Sequence, residues 1–524
     1  MTLVIAPILV ALVTAVVSLF ARPFERLRSA VSVAGALSYA AVVALLAREV
    51  LASGPLTYQV GDWAAPFGIT LVADALAAFM LALAALVVVP VVVFGLRAIE
   101  ERAQRVAYHP LFFFMLVGIS GAFLTGDIFN LFVWFEVMLM SSYVLVVIYG
   151  TPEATGATLR YVALNLVGSA LMLVSIGGLY AVTGTLNMAD LSRRLADPAA
   201  YGVNPAPALG LTVLLFSVFA LKAGVVPFHF WVPEVYRAAP APVTATLAGV
   251  VKKVGVYAMI RLVFTVLGGA AFDLSAPFSG DAWGFYGPVL FVLAVASIVL
   301  GGVGAVGRDD LSGVLAYSSI SQVGFIVLPV AIAAGATSTA VRTLALTAAL
   351  VYALNHAVAK STLFLVTDVI ESATGTDDLR SLGGVAGRSP ILGGAFFLGA
   401  LALVGTPPLS GFWGKFLVFD AAVGAGATGA LAAALGGALF TIAYMTRAWN
   451  RGFWGEASPS VEEMKPDRGL VTVVAAMALL VVVIGVGFDP VYRFAEAGAN
   501  AALSRHDYID AVRFAATAGN GGGH

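Results

Sequence analysis

Runs of about twenty apolar residues follow one another along almost the whole chain, and no other feature limits its possible folds so sharply. A run of that length crosses a bilayer as a helix, because in hydrocarbon each backbone N–H and C=O must be satisfied within the segment itself. Only 11% of the 524 residues are charged, too few to cover a soluble surface, where about 25% is usual. The chain therefore reads as an all-α polytopic membrane protein. Apolar windows predict about fourteen transmembrane helices, near 3–21, 29–49, 72–96, 109–125, 127–149, 157–183, 207–236, 241–268, 283–306, 311–334, 341–371, 391–421, 425–450 and 469–488. The opening residues lack a basic stretch and a small-residue cleavage site, so they read as the first span and not as a removed signal. The more polar tail from about Phe494 ends in Gly-Asn-Gly-Gly-Gly-His and is expected to be flexible.

Several function classes drop out. A net charge of −1 offers no basic surface for nucleic acid. Without cysteine there are no disulfides, thiolate metal sites or cysteine nucleophiles. No metalloprotease, Walker A, nucleophile-elbow or dinucleotide-binding motif occurs. The expectation is a protein that is not an enzyme and carries no cofactor or metal.

Basic residues set the orientation. With the amino terminus outside, Arg22, Arg26, Arg28, Arg97, Arg102, Arg105, Arg237, Arg308, Arg380, Arg388, Arg447, Arg451, Lys465 and Arg468 fall inside. Arg193, Arg194, Arg342, Arg493, Arg505 and Arg513 fall outside. This bias predicts both termini on the outer face.

Against this background the stretch from Ala220 to Glu234 stands out. Lys222 lies deep in an apolar run, and Gly224 and Pro227 then interrupt the helix. A lysine in hydrocarbon costs roughly 2.5–3.5 kcal/mol, so such residues face a wet interior or a partner and mark ion paths. A helix broken at membrane depth is tolerated only where it is buried in protein or lines a cavity. Together these features read as the centre of an ion-translocating protein.

A weak internal repeat is visible. Asp127-Ile-Phe-Asn and Asp310-Leu-Ser-Gly each open a helix, and in that register Glu136 meets Ser319. Gly224 and Pro227 match Gly405 and Pro408, which sets Glu234 opposite Lys415. Each offset skips five helices, and an odd number inverts the second copy, as in transporters whose path lies at the bilayer midplane. The expected organisation is peripheral helices over 1–106, a first inverted five-helix repeat over 107–270, a second over 280–452, and a last span with its tail over 453–524.

The intramembrane charges form a set. Glu136 is surrounded by apolar residues and reads as a protonatable site or the partner of Lys222, against a static buried pair. A lysine whose proton affinity depends on a movable carboxylate is a usable proton switch. Lys252 and Lys253 point about 100° apart on a helix, so one should face the interior and the other pair elsewhere or snorkel; Lys253 is favoured as functional. His356 and Lys360 share a helical face, which suits a relay better than an inert core histidine. Lys415 follows a second break at Pro407 and Pro408 and would end a lateral chain. Asp127 and Glu234 read first as helix-end residues, His229 as relay or core, and Asp190, Arg193, Arg194 and Asp197 as a solvated loop.

From Leu111 to Arg451 the motifs resemble the antiporter-like family, which comprises the proton-pumping membrane subunits of respiratory complex I and the large subunits of Mrp-type cation/proton antiporters. The resemblance is carried by Gly126-Asp-Ile-Phe-Asn-Leu-Phe-Val-Trp-Phe-Glu-Val-Met, Lys222-Ala-Gly-Val-Val-Pro-Phe-His-Phe-Trp-Val-Pro, Ala239-Pro-Ala-Pro-Val, Lys253-Val-Gly-Val-Tyr, Ala316-Tyr-Ser-Ser-Ile-Ser-Gln, Asn355-His and Gly405-Thr-Pro-Pro-Leu-Ser-Gly-Phe-Trp-Gly-Lys-Phe. It implies that the family's key glutamate falls on Glu136, its lysines on Lys222, Lys253 and Lys415, and its relay helix on His356 and Lys360. Lys252 stands where the family pattern has a small polar residue. Within the family the Glu136 motif is most similar to the D branch of the Mrp-type subunits, and the long carboxy-terminal extension of the A branch is missing. The resemblance implies one subunit of a hetero-oligomeric Na⁺/H⁺ antiporter in a prokaryotic cell membrane, carrying H⁺ and Na⁺. The other readings are a proton-translocating subunit of a respiratory NADH:quinone oxidoreductase or related redox-driven complex, and a membrane scaffold with silent charges.

Overall fold

The computed structural model describes residues 2–270, 272, 281–512 and 514. The chain opens with α1 (Thr2–Ala21) and α2 (Glu25–Ser53), then a short antiparallel hairpin of β1 (Leu56–Gln59) and β2 (Thr70–Ala73). There follow α3 (Ala75–Ala98), α4 (Glu101–Val106), α5 (Tyr108–Leu124), α6 (Ile128–Val146), α7 (Pro152–Thr183), α8 (Met188–Ala196), α9 (Ala206–Ala223), α10 (Trp231–Ala238), α11 (Ala241–Thr246) and α12 (Lys252–Ile260). The second half contains α13 (Ala282–Val306), α14 (Leu311–Gly335), α15 (Thr339–Thr374), α16 (Val385–Arg388), α17 (Pro390–Val404), α18 (Ser410–Gly424) and α19 (Thr428–Ala448). It closes with α20 (Pro459–Glu462), α21 (Arg468–Val486), α22 (Phe488–Leu503) and α23 (Arg505–Ala511). Among the described residues, 11 helices are long and apolar enough to cross a membrane, and α5 and α17 are shorter apolar helices. The segment expected as one helix over 241–268 is α11 and α12, joined by a π-helical turn at Leu247–Val251 and followed by a second at Arg261–Val266.

Both predicted interruptions are present. α9 ends at Ala223 and α10 begins at Trp231; α17 ends at Val404 and α18 begins at Ser410. Each first half ends on a glycine in the left-handed region, Gly224 at φ 67° and Gly405 at φ 93°, where a side chain would be strained. The closing hydrogen bonds match: the Gly224 and Val225 amides donate to the Ala220 carbonyl, and those of Gly405 and Thr406 to that of Leu401. Other devices also occur twice. Asp127 caps α6 and bridges to Asn187, while Asp310 caps α14 and bridges to Asp378. The helix before each bridge partner, α7 or α15, ends on a left-handed glycine, Gly184 or Gly375.

The core lies around α14 and α15, which are wrapped on almost every side. α13 and α15 flank α14, and α11, α17, α18, α21 and α22 pack on α15. Close approach depends on small residues, as expected where lipid gives no hydrophobic drive between helices. At Gly255 a Cβ would stand 2.5 Å from the Ala223 nitrogen and the Phe219 carbonyl oxygen, so this glycine sets the α9–α12 distance beside Lys222.

Two expectations are corrected. Residues 494–512 do not trail away: the α22 face bearing Ala495, Gly498, Ala499 and Ala502 is buried between α3 and α15. Arg513 and the last residues of the expected tail, 515–524, lie outside the described residues. Asp190, Arg193 and Arg194 belong to α8 and not to a solvated loop. Asp190 is 3% exposed, pairs with Arg194 at 2.8 Å, and Arg194 also holds the Thr183 carbonyl at 2.8 Å.

Candidate functional site

Lys222, Lys252, Lys253, His356, Lys360 and Lys415 are each no more than 3% exposed. Among the described residues none of these five lysines makes an ion pair with a carboxylate. Their ammonium groups are met by hydroxyls, backbone carbonyls, aromatic faces and an imidazole, which lower the penalty of burying charge without fixing a counter-ion.

Lys222 occupies the last turn of α9, where the helix dipole favours a cation. It donates to the Tyr161 hydroxyl of α7 at 3.1 Å and lies 5.5 and 5.8 Å from the Tyr161 and Trp231 rings. Trp231 stacks on Tyr161 and donates through Nε1 to the Leu221 carbonyl at 2.9 Å, while the Ser297 hydroxyl accepts from the Val226 amide at 2.9 Å. The Leu221 carbonyl and the Val226 amide at the break are thus satisfied inside protein, as a broken helix at this depth requires.

Lys252 and Lys253 are both fully buried, so neither snorkels, and the two reach different partners. Lys252 packs on the first break: a Cβ on Gly224 would lie 3.1 Å from its Cε. Its ammonium donates across to the Ser319 carbonyl of α14 at 3.3 Å. Lys253 donates to the Ala248 carbonyl and is joined to His356 Nδ1, both at 2.6 Å. While Lys253 is protonated that contact needs an unprotonated Nδ1, and a neutral imidazole then carries its proton on Nε2, which has no hydrogen-bond partner among the described residues. One turn on, Lys360 donates to the Leu315 carbonyl of α14 at 2.9 Å.

Lys415 lies on α18, beyond the second break, whereas Lys222 precedes the first. Its stem packs on Gly405, its ammonium donates to the Val404 carbonyl at 3.1 Å, and it lies 4.7 Å from the Phe325 ring centroid. The Asn355 amide takes the Ala402 carbonyl of the same frayed turn at 3.3 Å.

The remaining candidates divide. Glu136 is half-buried on α6 and accepts from the Ser169 hydroxyl of α7; no ion pair joins it to Lys222. Asp127 is the N-cap of α6, accepting from the Asn130 amide at 2.7 Å. Glu234 pairs with Arg160 at the surface, so the residue set opposite Lys415 in the repeat lies away from the buried lysines. His229 stacks on Phe230 and lines a cavity of about 320 Å³ with Glu234, Arg237, Arg308 and Tyr317.

Sequence reasoning missed the neutral partners. Tyr161 also hydrogen-bonds Ser142 at 3.2 Å, extending the Lys222 site towards α6. Tyr352 donates to Gln322, whose amide donates to Tyr444 at 2.6 Å and Thr441 at 3.0 Å. Ser318 donates to Tyr444 at 2.9 Å, so hydroxyls and amides occupy the space between α14, α15 and α19. A second missed feature is the buried pair of Arg261 and Asp74, joined at 2.6 and 2.8 Å.

Two broken helices against a wrapped central pair, with buried lysines at the breaks, define an ion-transporter class of membrane protein. The chain belongs to the NADH:quinone oxidoreductase/Mrp antiporter transmembrane family, whose model matches residues 125–441. It is 36% identical over 514 residues to the D subunit of the Na(+)/H(+) antiporter of Alkalihalophilus pseudofirmus, covering 97% of this chain and 99% of that protein. The corresponding D subunit of the Na(+)/H(+) antiporter of Bacillus subtilis is 33% identical over 513 residues, with 97% and 99% covered. Among solved structures, a chain of the Mrp complex from Dietzia sp. DQ12-45-1b superposes with a TM-score of 0.85 at 29% identity, covering 98% of this chain and 100% of that one. A chain of an archaeal respiratory complex, the membrane-bound sulfane sulfur reductase, superposes at 0.86 and 26%, with the same shares covered.

Proposed function

We propose that this protein is a membrane subunit of a hetero-oligomeric Na⁺/H⁺ antiporter in a prokaryotic cell membrane, and that its part is to carry protons. The observation that carries the reading is the row of buried amines without fixed carboxylate partners, set at two helix breaks. A permanently paired ammonium cannot release its proton cheaply; one held by carbonyls and ring faces gains or loses it as charge arrives nearby. The path runs from Glu136 through Lys222, Lys252, Lys253, His356 and Lys360 to Lys415, with Tyr161 beside Lys222 and the Tyr352–Gln322–Tyr444 group towards Lys415. Proton uptake at one end changes the field at the next site, which couples it to cation movement elsewhere in the assembly. Sodium prefers oxygen ligands, so the amine row does not hold it, and its ligands lie at Glu136 or in a neighbouring subunit. The matching caps, bridges and breaks support two inverted repeats, and the arginine bias supports both termini on the outer face.

Everted vesicles carrying the whole gene cluster test the reading. They are energised, then given Na⁺, with Glu136→Gln beside wild type. Collapse of ΔpH on adding Na⁺, lost in the variant, is expected. Indifference to Na⁺ together with acidification that requires NADH oxidation would move the protein to the redox-driven pumps.

A further inference from the structure

A cavity of about 330 Å³ is lined by α10, α11 and α15 on the side where Arg237 lies. Glu371 and Ser372 are exposed at its mouth, and Thr244, Asp368 and Tyr236 line it further in. Asp368 makes no hydrogen bond or ion pair with any described residue. Tyr236 is 2% exposed and lines the same cavity, yet its hydroxyl has no hydrogen-bond partner among the described residues.

Directly behind this wall lie two of the buried lysines. The Tyr236 ring is 6.0 Å from Lys252 Nζ and packs edge-on against Phe364, whose ring is 6.0 Å from Lys360 Nζ. An unpaired carboxylate in a recessed, low-dielectric opening concentrates cations there. A phenol with both its donor and its acceptor uncommitted passes a proton in either direction. We propose that this cavity is a proton port: Asp368 collects protons from the aqueous face bearing Arg237, and Tyr236 relays them to Lys252. The inference rests on the proton-carrying role proposed above and adds where that path meets water.

The chain has no cysteine, so Thr244→Cys within the cavity and Ser372→Cys at its mouth each place a single thiol in this subunit. The assembled complex, in membrane vesicles of both orientations, is treated with impermeant methanethiosulfonates, one bearing trimethylammonium and one bearing sulfonate. Thr244→Cys is expected to react from one face only, and to prefer the cationic reagent over the anionic one by about tenfold relative to Ser372→Cys. Adding Asp368→Asn should remove most of that preference, and Asp368→Asn and Tyr236→Phe should each slow Na⁺-driven proton movement several-fold. The port is overturned if Thr244→Cys stays unreactive from both faces while Ser372→Cys reacts, or if Asp368→Asn leaves the preference and transport unchanged. Glu136→Gln, measured alongside, reads the underlying role by itself: antiport that survives it contradicts that role, whatever the thiols report.

Discussion

At Lys222 the group facing the ammonium is the Tyr161 hydroxyl, and this changes what substitution should do. Tyr161→Phe keeps the stack on Trp231 and removes the hydroxyl's bonds to Lys222 and Ser142, of which the one to the charged group is worth about 1.5–3 kcal/mol. Proton movement should fall roughly tenfold while the assembled complex is recovered at wild-type yield, read by Na⁺-driven pH change and by size-exclusion of the solubilised complex. Lys252→Met should impair transport as severely as Lys253→Met, because Lys252 is the residue lying against the break and reaching α14; transport near wild type in Lys252→Met would return the role to Lys253 alone. The lysines were legible because a charge inside an apolar run has few innocent explanations. Their directions were not, since two adjacent residues are both buried only when neighbours wrap the whole helix. Tyr161 and Tyr352 gave no signal, and Gln322 entered only as the end of the motif from Ala316: a tyrosine or glutamine in a membrane span is unremarkable until the tertiary fold sets it beside another polar group.

The broken helices were readable because glycine and proline are the strongest local punctuation in a chain. Their equivalence goes deeper than the sequence match: both breaks end in the same pair of amide-to-carbonyl bonds, both load a lysine stem onto the glycine, and the residues that differ are the side chains which satisfy the frayed turn. Trp231 and Ser297 serve the first break, Asn355 and Lys415 the second. Gly224→Ala would place a Cβ at φ 67° and 2.8 Å from Val232 Cγ2, and Gly405→Ala one at φ 93° and 3.0 Å from Lys415 Cδ. Each should destabilise the complex by about 1–3 kcal/mol, seen as a lower thermal midpoint in detergent, with transport falling further because the displaced side chains include Lys252, beside Val232, and Lys415. What the local pattern did not reveal was α22, whose small buried face is meaningful only once α3 and α15 are side by side.

For the whole molecule, the Arg261–Asp74 pair ties α3 to the segment following α12, far apart in sequence. Asp74→Asn leaves a buried guanidinium without its carboxylate and should cost about 3–5 kcal/mol, read as loss of assembled complex at elevated temperature. Antiport per surviving complex should be retained, because the pair is not among the groups proposed to carry protons. Fold class was legible from the spacing of apolar runs, whereas the site's three-dimensional order was not: periodicity gives each helix a face but not a neighbour. In this mechanism the buried amines at the breaks carry the transported proton. Its most direct test is the purified complex in liposomes with a trapped pH dye, driven by an imposed Na⁺ gradient, comparing wild type with Lys222→Met. The account predicts proton movement opposed to Na⁺ in wild type and its loss in an intact Lys222→Met complex; an unchanged pH response in that variant would contradict it.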